Sequence, residues 1–314
     1  MGRVYIRMEL DEEQEFVVGS DRSMLCVSGP GSGKTRILTE KARRVFNSGE
    51  SLLCLTFTRS AAREMASRVP GIPAATIHSY CCGLVGWKDE WKYQGLLWRT
   101  MMMKDKPKFD WLLIDEVQDL NPEEMDVALS LVGDRIFAVG DPYQSIYGFQ
   151  GALGPTIMQV LQKVGCKKVE LHNNYRSCGT IVDKLNRIYN RQLVSRNIKQ
   201  TGNAAILCRT NDDVFLVSSY LKSYGIPHTL RLSVEYADVK EKEVLGESNL
   251  RVMTVHQSKG LEFDKVILFG WYPDIDQDEE MRCYYVAVAR ASQEFHEVFE
   301  LEEVRRLLNG LRNT

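Results

Sequence analysis

The sequence predicts an α/β protein with two domains, each built on a parallel β-sheet. Its 314 residues are enough for two domains of ordinary size. Short apolar segments alternate with helical patterns in both halves of the chain, as expected for parallel sheets covered by helices. The first apolar segment, residues 24–27, leads through a glycine-rich turn into a helical pattern. This strand–loop–helix order is the context that a phosphate-binding loop requires.

Composition excludes several classes of protein. Hydrophobic residues make up 44% and charged residues 26% of the chain, as in ordinary globular proteins. The net charge of −2 argues against bulk attraction to nucleic acid, so any such contact must come from a local groove. The eight cysteines form no CxxC pair, which predicts reduced, buried thiols rather than a disulfide or zinc framework. We expect no membrane contact, because no signal peptide opens the chain and no apolar run could span a bilayer.

The glycine-rich turn is the first candidate site. Its glycines let backbone N–H groups point into the loop, and the N-terminus of the next helix adds partial positive charge where phosphates would lie. Lys34 is expected to reach the β- and γ-phosphates, and the Thr35 hydroxyl to hold Mg²⁺. Ser28 stands where the strict motif has glycine, which is a mild departure. The residues predicted to cradle the phosphates are Gly29, Gly31, Ser32, Gly33, Lys34 and Thr35.

Two further elements surround this loop in the sequence. Upstream, residues 10–18 form an acidic amphipathic segment with Gln14 in its middle. The segment reads as a helix, and the Gln14 amide could in addition contact the adenine edge because it offers both a donor and an acceptor. Downstream, an apolar strand at residues 52–56 is followed by an alanine-rich helical pattern at 57–69. Residues 74–82 then predict a short strand entering a helix.

The next segment, residues 87–108, is aromatic and basic, with tryptophans at 87, 91 and 98. We interpret it as a small helical cap with its own apolar seam, and a binding platform is the alternative.

A pair of carboxylates is the second candidate site. Residues 111–114 predict a buried strand that ends in Asp115 and Glu116. At the carboxyl end of a strand beside a phosphate loop, one carboxylate can hold Mg²⁺ through its waters and the other can polarise the attacking water. An acidic pair alone is weak evidence, but its place after an apolar strand strengthens it.

A polar and aromatic loop follows the next predicted strand, within residues 136–152. Gln144 is placed to sense the γ-phosphate, while Tyr147 and Phe149 offer flat faces for base stacking. A loop that both senses the γ-phosphate and stacks on bases would couple hydrolysis to the binding of a nucleic-acid strand. The alternative, that these rings belong to an ordinary core, applies more to Tyr147 than to Phe149.

The second half repeats the α/β alternation without a phosphate loop. Strands are predicted at residues 168–171, 204–208, 250–255 and 265–270, and an apolar helix at 282–291. This half supplies Arg176 and Arg290, which fit arginine fingers that neutralise transition-state charge across a cleft.

Nine motifs occur together in the order typical of one family. They are Gln14, GPGSGKTR, TFTRSAAREM, TIHS, IDEVQD, VGDPYQSIYGFQGA, NYRS, MTVHQSKGLEF and YVAVARA. The chain therefore resembles the UvrD/Rep/PcrA branch of superfamily-one DNA helicases over nearly its whole length. The resemblance implies two RecA-like, parallel-sheet P-loop NTPase domains at residues 1–167 and 168–314, with the ATP site in the cleft between them.

The resemblance also implies roles for individual residues. Asp115 would bind Mg²⁺ and Glu116 would be the catalytic base, while Glu262 would approach the ribose or couple the two sites. The nucleotide would be surrounded by Gln14, Arg36, Arg68 and Tyr175, the last by stacking on adenine. The γ-phosphate would be contacted by Gln144, Arg176 and Arg290. The path of the single strand would be lined by Phe57, His78, Tyr147, Phe149, Thr254 and His256. His78, taken alone, would be a structural histidine.

The chain departs from the family in three ways. Family members are about twice as long, because large helical insertions occur where this chain has only residues 83–110 and 231–249, spans too short for independent cores. Gln150 stands where an arginine is common, which predicts a weaker or less salt-dependent grip on DNA. Ala289 replaces a common threonine, with loss of a hydroxyl.

The expected function is an ATP-dependent, single-stranded DNA translocase or 3′-to-5′ helicase that uses ATP and Mg²⁺. Single-stranded DNA, or a junction with duplex, is the expected partner, together with a protein that supplies the missing insertions. A nucleotide-gated clamp or loader that does not unwind alone is the alternative, and an RNA substrate is a third hypothesis. We expect a cytoplasmic role in DNA repair or replication, in a bacterial or phage-infected cell.

Overall fold

The computed structural model describes residues 9–86, 93–196, 202–234, 238–274 and 277–309. It divides into two compact units, with the boundary between His172 and Asn173. Part of the aromatic and basic segment, including Trp87 and Trp91, lies outside the described residues.

The first unit is an α/β domain with one six-stranded sheet. Its elements in chain order are α1 (Glu12–Gly19), β1 (Met24–Ser28), α2 (Lys34–Ser48), β2 (Leu52–Thr56), α3 (Arg59–Arg68), β3 (Ala74–Thr76), α4 (Ile77–Val85), α5 (Tyr93–Met102), β4 (Phe109–Ile114), α6 (Pro122–Ser130), β5 (Val132–Gly140), α7 (Thr156–Lys163) and β6 (Lys167–Leu171). The strand order is β3-β2-β4-β5-β1-β6, and all neighbouring strands are parallel.

Helices cover both faces of this sheet, which explains why its central strands are apolar throughout. All residues of β1 and β2 are buried. Alternate side chains enter opposite cores: Leu25 and Val27 pack on one face, and Met24 and Cys26 on the other. The continuous apolar runs that predicted strands here are therefore typical of a parallel sheet buried on both sides.

The second unit also contains a six-stranded sheet. Its elements are β7 (Asn173–Asn174), α8 (Gly179–Tyr189), β8 (Val194–Ser195), β9 (Ala204–Cys208), α9 (Asn211–Ser223), β10 (His228–Val234), β11 (Asp238–Val244), β12 (Leu250–Thr254), β13 (Phe263–Phe269), α10 (Asp278–Val288), β14 (Ala291–Val298) and α11 (Leu301–Asn309). The strand order is β11-β10-β12-β9-β13-β14, and β7 pairs with β8 separately.

The structure differs from the sequence prediction in the domain boundary and in the second sheet. The strand that was assigned to the second domain, β6, pairs in parallel with β1, so the boundary lies between His172 and Asn173 rather than at 167/168. The reduced insertion at 231–249 contributes to a hairpin of β10 and β11, whose pairing is antiparallel. The second sheet is thus mixed, because this hairpin adds an antiparallel edge strand to five parallel ones.

Six of the eight cysteines are buried, as the apolar segments around them predict. Over the described ranges, none of the helices is both long and apolar enough to span a membrane.

Candidate functional site

The phosphate loop joins β1 to α2 at the carboxyl edge of the first sheet. Gly31 and Gly33 have φ values of 68° and 85°, in the left-handed region that favours glycine. Gly33 also begins α2, since its carbonyl accepts hydrogen bonds from the N–H groups of Arg36 and Ile37 at 2.9 and 3.0 Å. The loop therefore ends at a helix N-terminus, where partial positive charge favours an anion.

Ser28, which departs from the glycine motif, helps to hold the loop closed. The Ser32 hydroxyl donates to the Gly29 carbonyl at 2.7 Å. The Ser28 hydroxyl lies 2.6 Å from the Ser32 oxygen and is therefore the donor of that hydrogen bond. Both serines are buried. The hydroxyl at position 28 thus adds a hydrogen bond within the loop and does not obstruct it.

Lys34 lies along the same loop. Its Nζ atom is 3.4 Å from each of the carbonyl oxygens of Ser28 and Gly29. Lys34, Thr35 and Arg36 are all half-buried at the start of α2. Arg68, predicted near the nucleotide, is exposed at the end of α3 and forms an ion pair with Glu64.

Gln14 connects α1 to the phosphate loop. Its Nε2 atom donates to the Ser32 carbonyl at 2.9 Å, and its Oε1 accepts from the backbone N–H of Asp11 at 3.4 Å. The side chain is almost completely buried. Gln14 therefore stabilises the phosphate loop through a hydrogen bond to its backbone. Its contact with adenine stays a prediction.

The acidic pair follows β4, as predicted. Asp115 is buried, and its carboxylate accepts a hydrogen bond of 3.0 Å from the Glu116 N–H. Burial, followed by repulsion from Glu116, raises the pKa of Asp115, and the charge of Lys34 opposes this effect. Glu116 has φ 47° and ψ 46°, a left-handed conformation that is strained for a residue with a side chain. Strain and buried negative charge thus coincide at this strand end, as they do in many functional sites.

The loop after β5 reaches the same edge of the sheet, because β5 lies between β4 and β1. Asp141 is fully buried there, and its carboxylate accepts hydrogen bonds from the Tyr143 N–H at 3.2 Å and from Gln144 Nε2 at 2.8 Å. Gln144 is therefore held by its own loop. The sequence analysis did not single out Gln118, which the structure places between Glu116 and Asp141.

Three residues predicted to contact DNA form one aromatic cluster. The rings of Phe57 and Tyr147 stack with their centroids 5.0 Å apart, and Phe149 lies 6.1 Å from Tyr147. Phe149 is 63% exposed, so its ring is not part of an ordinary core. His78 is instead placed with Nδ1 3.3 Å from Glu124 Oε1, and burial lowers its pKa. This pairing favours the structural interpretation of the histidine.

In the second unit, three motifs meet around Arg176. Its Nε donates to Glu262 Oε2 at 3.0 Å and its Nη1 to the Ala289 carbonyl at 3.0 Å. Arg290 is buried, and its Nη1 donates to the Leu261 carbonyl at 3.1 Å. The helix that was expected to carry Arg290 ends at Val288, so Arg290 lies in the connection to β14.

The remaining predicted residues of the second unit lie at strand ends. Thr254 ends β12 and closes a turn, since its N–H donates to Gln257 Oε1 at 3.2 Å. His256 follows, with Nε2 3.8 Å from the Cys283 sulfur. Tyr175 is half-buried beside Arg176.

Comparison with known proteins identifies the family. Residues 14–150 match the model of an AAA domain, and residues 231–296 match the model of the UvrD-like helicase C-terminal domain. The chain belongs to the UvrD-like helicases of superfamily one. This UvrD-like chain is 25% identical over 228 residues to a probable DNA helicase of Mycoplasma pneumoniae, covering 58% of the chain and 42% of the relative. It is 24% identical over 280 residues to DNA helicase IV of Escherichia coli K12, covering 73% and 41%.

The UvrD-like chain spans less than half the length of these curated relatives. Solved structures share its fold over nearly the full length. The Pif1 helicase from Candida albicans aligns with a TM-score of 0.58 at 13% identity, covering 98% of this chain and 99% of that one. Bacteroides Pif1, solved bound to single-stranded DNA, aligns with a TM-score of 0.53 at 14% identity, covering 98% and 97%. Both units thus have the RecA-like fold that the motifs imply.

The raised pKa of Asp115 makes the stability of the nucleotide-free protein depend on pH. In the unfolded chain this carboxyl ionises near its ordinary pKa, about 3.9. Since folding disfavours the ionised form, the free energy of unfolding falls as pH rises from that value through the folded pKa. Asp115→Asn should therefore stabilise the protein, and more at pH 8 than at pH 5, as measured by urea unfolding. Asp126→Asn, at an exposed aspartate, is the control. A destabilised Asp115→Asn variant at both pH values would contradict this electrostatic account.

Proposed function

We propose that this chain hydrolyses ATP to move along single-stranded DNA in the 3′-to-5′ direction, and that it acts as a DNA helicase. The observation that carries the proposal is the parallel order β4-β5-β1. It brings the acidic pair, the Gln144 loop and the phosphate loop to the carboxyl edge of one sheet, and the Gln144 loop also carries two exposed or half-exposed aromatic rings. The family match and the names of the DNA helicase relatives support the same activity.

Each group in the first unit has a chemical task in hydrolysis. The loop N–H groups and Lys34 hold the phosphates. Thr35 and Asp115 are the residues that would hold Mg²⁺, and a cation there fits the buried carboxylate, because it would offset the charge that burial disfavours. Bound Mg²⁺ would neutralise charge on the phosphates. Glu116 accepts the proton of the attacking water, and Gln144 senses the γ-phosphate.

The second unit supplies positive charge and a stacking ring. We propose that Arg176 and Arg290 neutralise the charge that develops on the γ-phosphate, and that Tyr175 stacks on adenine. Arg176 is held by Glu262 and by a backbone carbonyl, so its guanidinium is already oriented by two hydrogen bonds.

Base stacking is the proposed source of DNA binding. The cluster of Phe57, Tyr147 and Phe149 presents flat faces to which any base can bind, so binding should tolerate any sequence. The net charge of −2 and Gln150 predict that affinity falls only moderately with salt.

Substitution of Glu116 tests the hydrolysis site. Glu116→Gln keeps the shape of the side chain but removes the base, so kcat should fall by at least about 100-fold while ATP still binds. Lys34→Ala should instead raise KM because a phosphate contact is lost. The measurement is steady-state ATPase activity without polymer, with single-stranded DNA and with single-stranded RNA. Glu123→Gln, at an exposed glutamate on α6, is the matched control. A Glu116→Gln variant with the wild-type rate would rule out Glu116 as the base.

Substitution of Phe149 tests the stacking surface. Since this ring is 63% exposed, Phe149→Ala should fold normally. It should weaken binding to single-stranded DNA about tenfold and leave polymer-free ATPase activity unchanged. Fluorescence anisotropy with labelled oligonucleotides gives the affinity. Phe215→Ala, which removes an exposed ring of the second unit, should have no effect. Equal affinities for the two variants would disprove the assignment.

The short spans at 83–110 and 231–249 favour the clamp hypothesis. Translocation kinetics on DNA strands of different lengths distinguish a clamp from a translocase. A 3′-to-5′ translocase should reach a fluorophore at the 5′ end of single-stranded DNA after a delay that grows with strand length. The same delay for a fluorophore at the 3′ end would reverse the proposed polarity. A signal without any dependence on length would favour the clamp.

A further inference from the structure

Gln118 is a completely buried amide that is hydrogen-bonded at both ends. Its Nε2 donates to Glu116 Oε2 at 2.8 Å. Its Oε1 accepts from the backbone N–H of Asp141 at 3.0 Å. A buried amide with both ends satisfied has one fixed orientation, because rotation would break both bonds and leave polar groups unpaired. Gln118 therefore joins the end of β4 to the end of β5.

Gly140 gives this arrangement independent support. A Cβ atom at position 140 would lie 2.4 Å from Gln118 Oε1 and 3.0 Å from Val117 Cγ1. Neither atom can move away freely, because both side chains are fully buried. The end of β5 thus approaches Gln118 at a distance that only glycine allows.

The backbone of Gln118 also holds the loop that follows β5. Its carbonyl accepts hydrogen bonds from Ser145 Oγ at 3.3 Å and from the Gly154 N–H at 3.1 Å. Gln118 consequently contacts residues 141–154 near the beginning, at Ser145 and at the end. This segment contains Gln144 as well as the rings of Tyr147 and Phe149.

A general base acts only when its carboxylate points at the water, and errors of about 1 Å can cost about 100-fold in rate. The left-handed backbone of Glu116 fixes where its side chain begins, and the bond from Gln118 fixes where one of its oxygens lies.

We propose that Gln118 is a positioning residue that orients the Glu116 carboxylate and links it to the loop of residues 141–154. This inference rests on the proposed function, because it takes Glu116 as the base. Through this link, DNA bound to the aromatic rings changes the orientation of Glu116 and with it the rate of hydrolysis.

Two substitutions separate this role from simple packing. Gln118→Met keeps the length of the side chain and loses both hydrogen bonds. Gln118→Glu keeps an acceptor for the Asp141 N–H but replaces the donor with a carboxylate facing Glu116. If Gln118 orients the base, kcat without polymer should fall about tenfold or more in both variants, with the KM for ATP and the affinity for DNA within about twofold of wild type. Stimulation by single-stranded DNA should also be lost in Gln118→Met.

Gln162→Met, at an exposed glutamine of α7, is the control for the chemical change. A Gln118→Glu variant with the wild-type kcat would overturn the proposal, because the Asp141 contact alone would then be sufficient. If Gln118→Met does not fold, Gln118→Glu decides the question, since it preserves the link to β5. Wild-type protein that is not stimulated by DNA would contradict the proposed function. The polymer-free kcat of the variants would still test the role of Gln118.

Discussion

The adjacency of β4, β5 and β1 is the constraint on which the candidate site depends. Parallel strands end at one edge of a sheet, so the loops after these three strands must share that edge. Because β5 lies between β4 and β1, the loop after β5 lies between the acidic pair and the phosphate loop. The apolar residues of these strands fill two cores, one on each face, and so fix the strand ends that carry polar groups.

The end of β4 stores unfavourable energy in two ways. Asp115 is buried beside Glu116, and Glu116 has a strained backbone. Hydrogen bonds from neighbouring groups limit the freedom of each side chain: Gln118 contacts Glu116, and Asp141 contacts Gln144. Excess negative charge and fixed side-chain geometry together are typical of preorganised sites, where little rearrangement accompanies the reaction.

Local patterns predicted the parts of the site that are contiguous in sequence. The phosphate loop and the carboxylates after β4 could be predicted because both signals lie within a few consecutive residues. The spacing of glycines indicates a phosphate-binding turn, and an apolar run indicates a buried strand. Gln118 could not be found in this way, since its importance depends on Asp141, which another strand brings to its side. The assignment of β6 failed for the same reason: its sequence indicates a strand but not which sheet it joins. The hairpin of β10 and β11 was missed because β11 contains an unbroken run of charged residues, Lys240 to Glu243, in place of the apolar and polar alternation that indicates a strand.

The proposed link between Gln118 and Glu116 means that contact with DNA acts on the hydrolysis step itself. Single-turnover hydrolysis by rapid quench, with and without single-stranded DNA, measures that step most directly. We expect DNA to accelerate the appearance of ADP within the first turnover. If DNA leaves this rate unchanged and accelerates only product release, Gln118 does not couple DNA binding to hydrolysis.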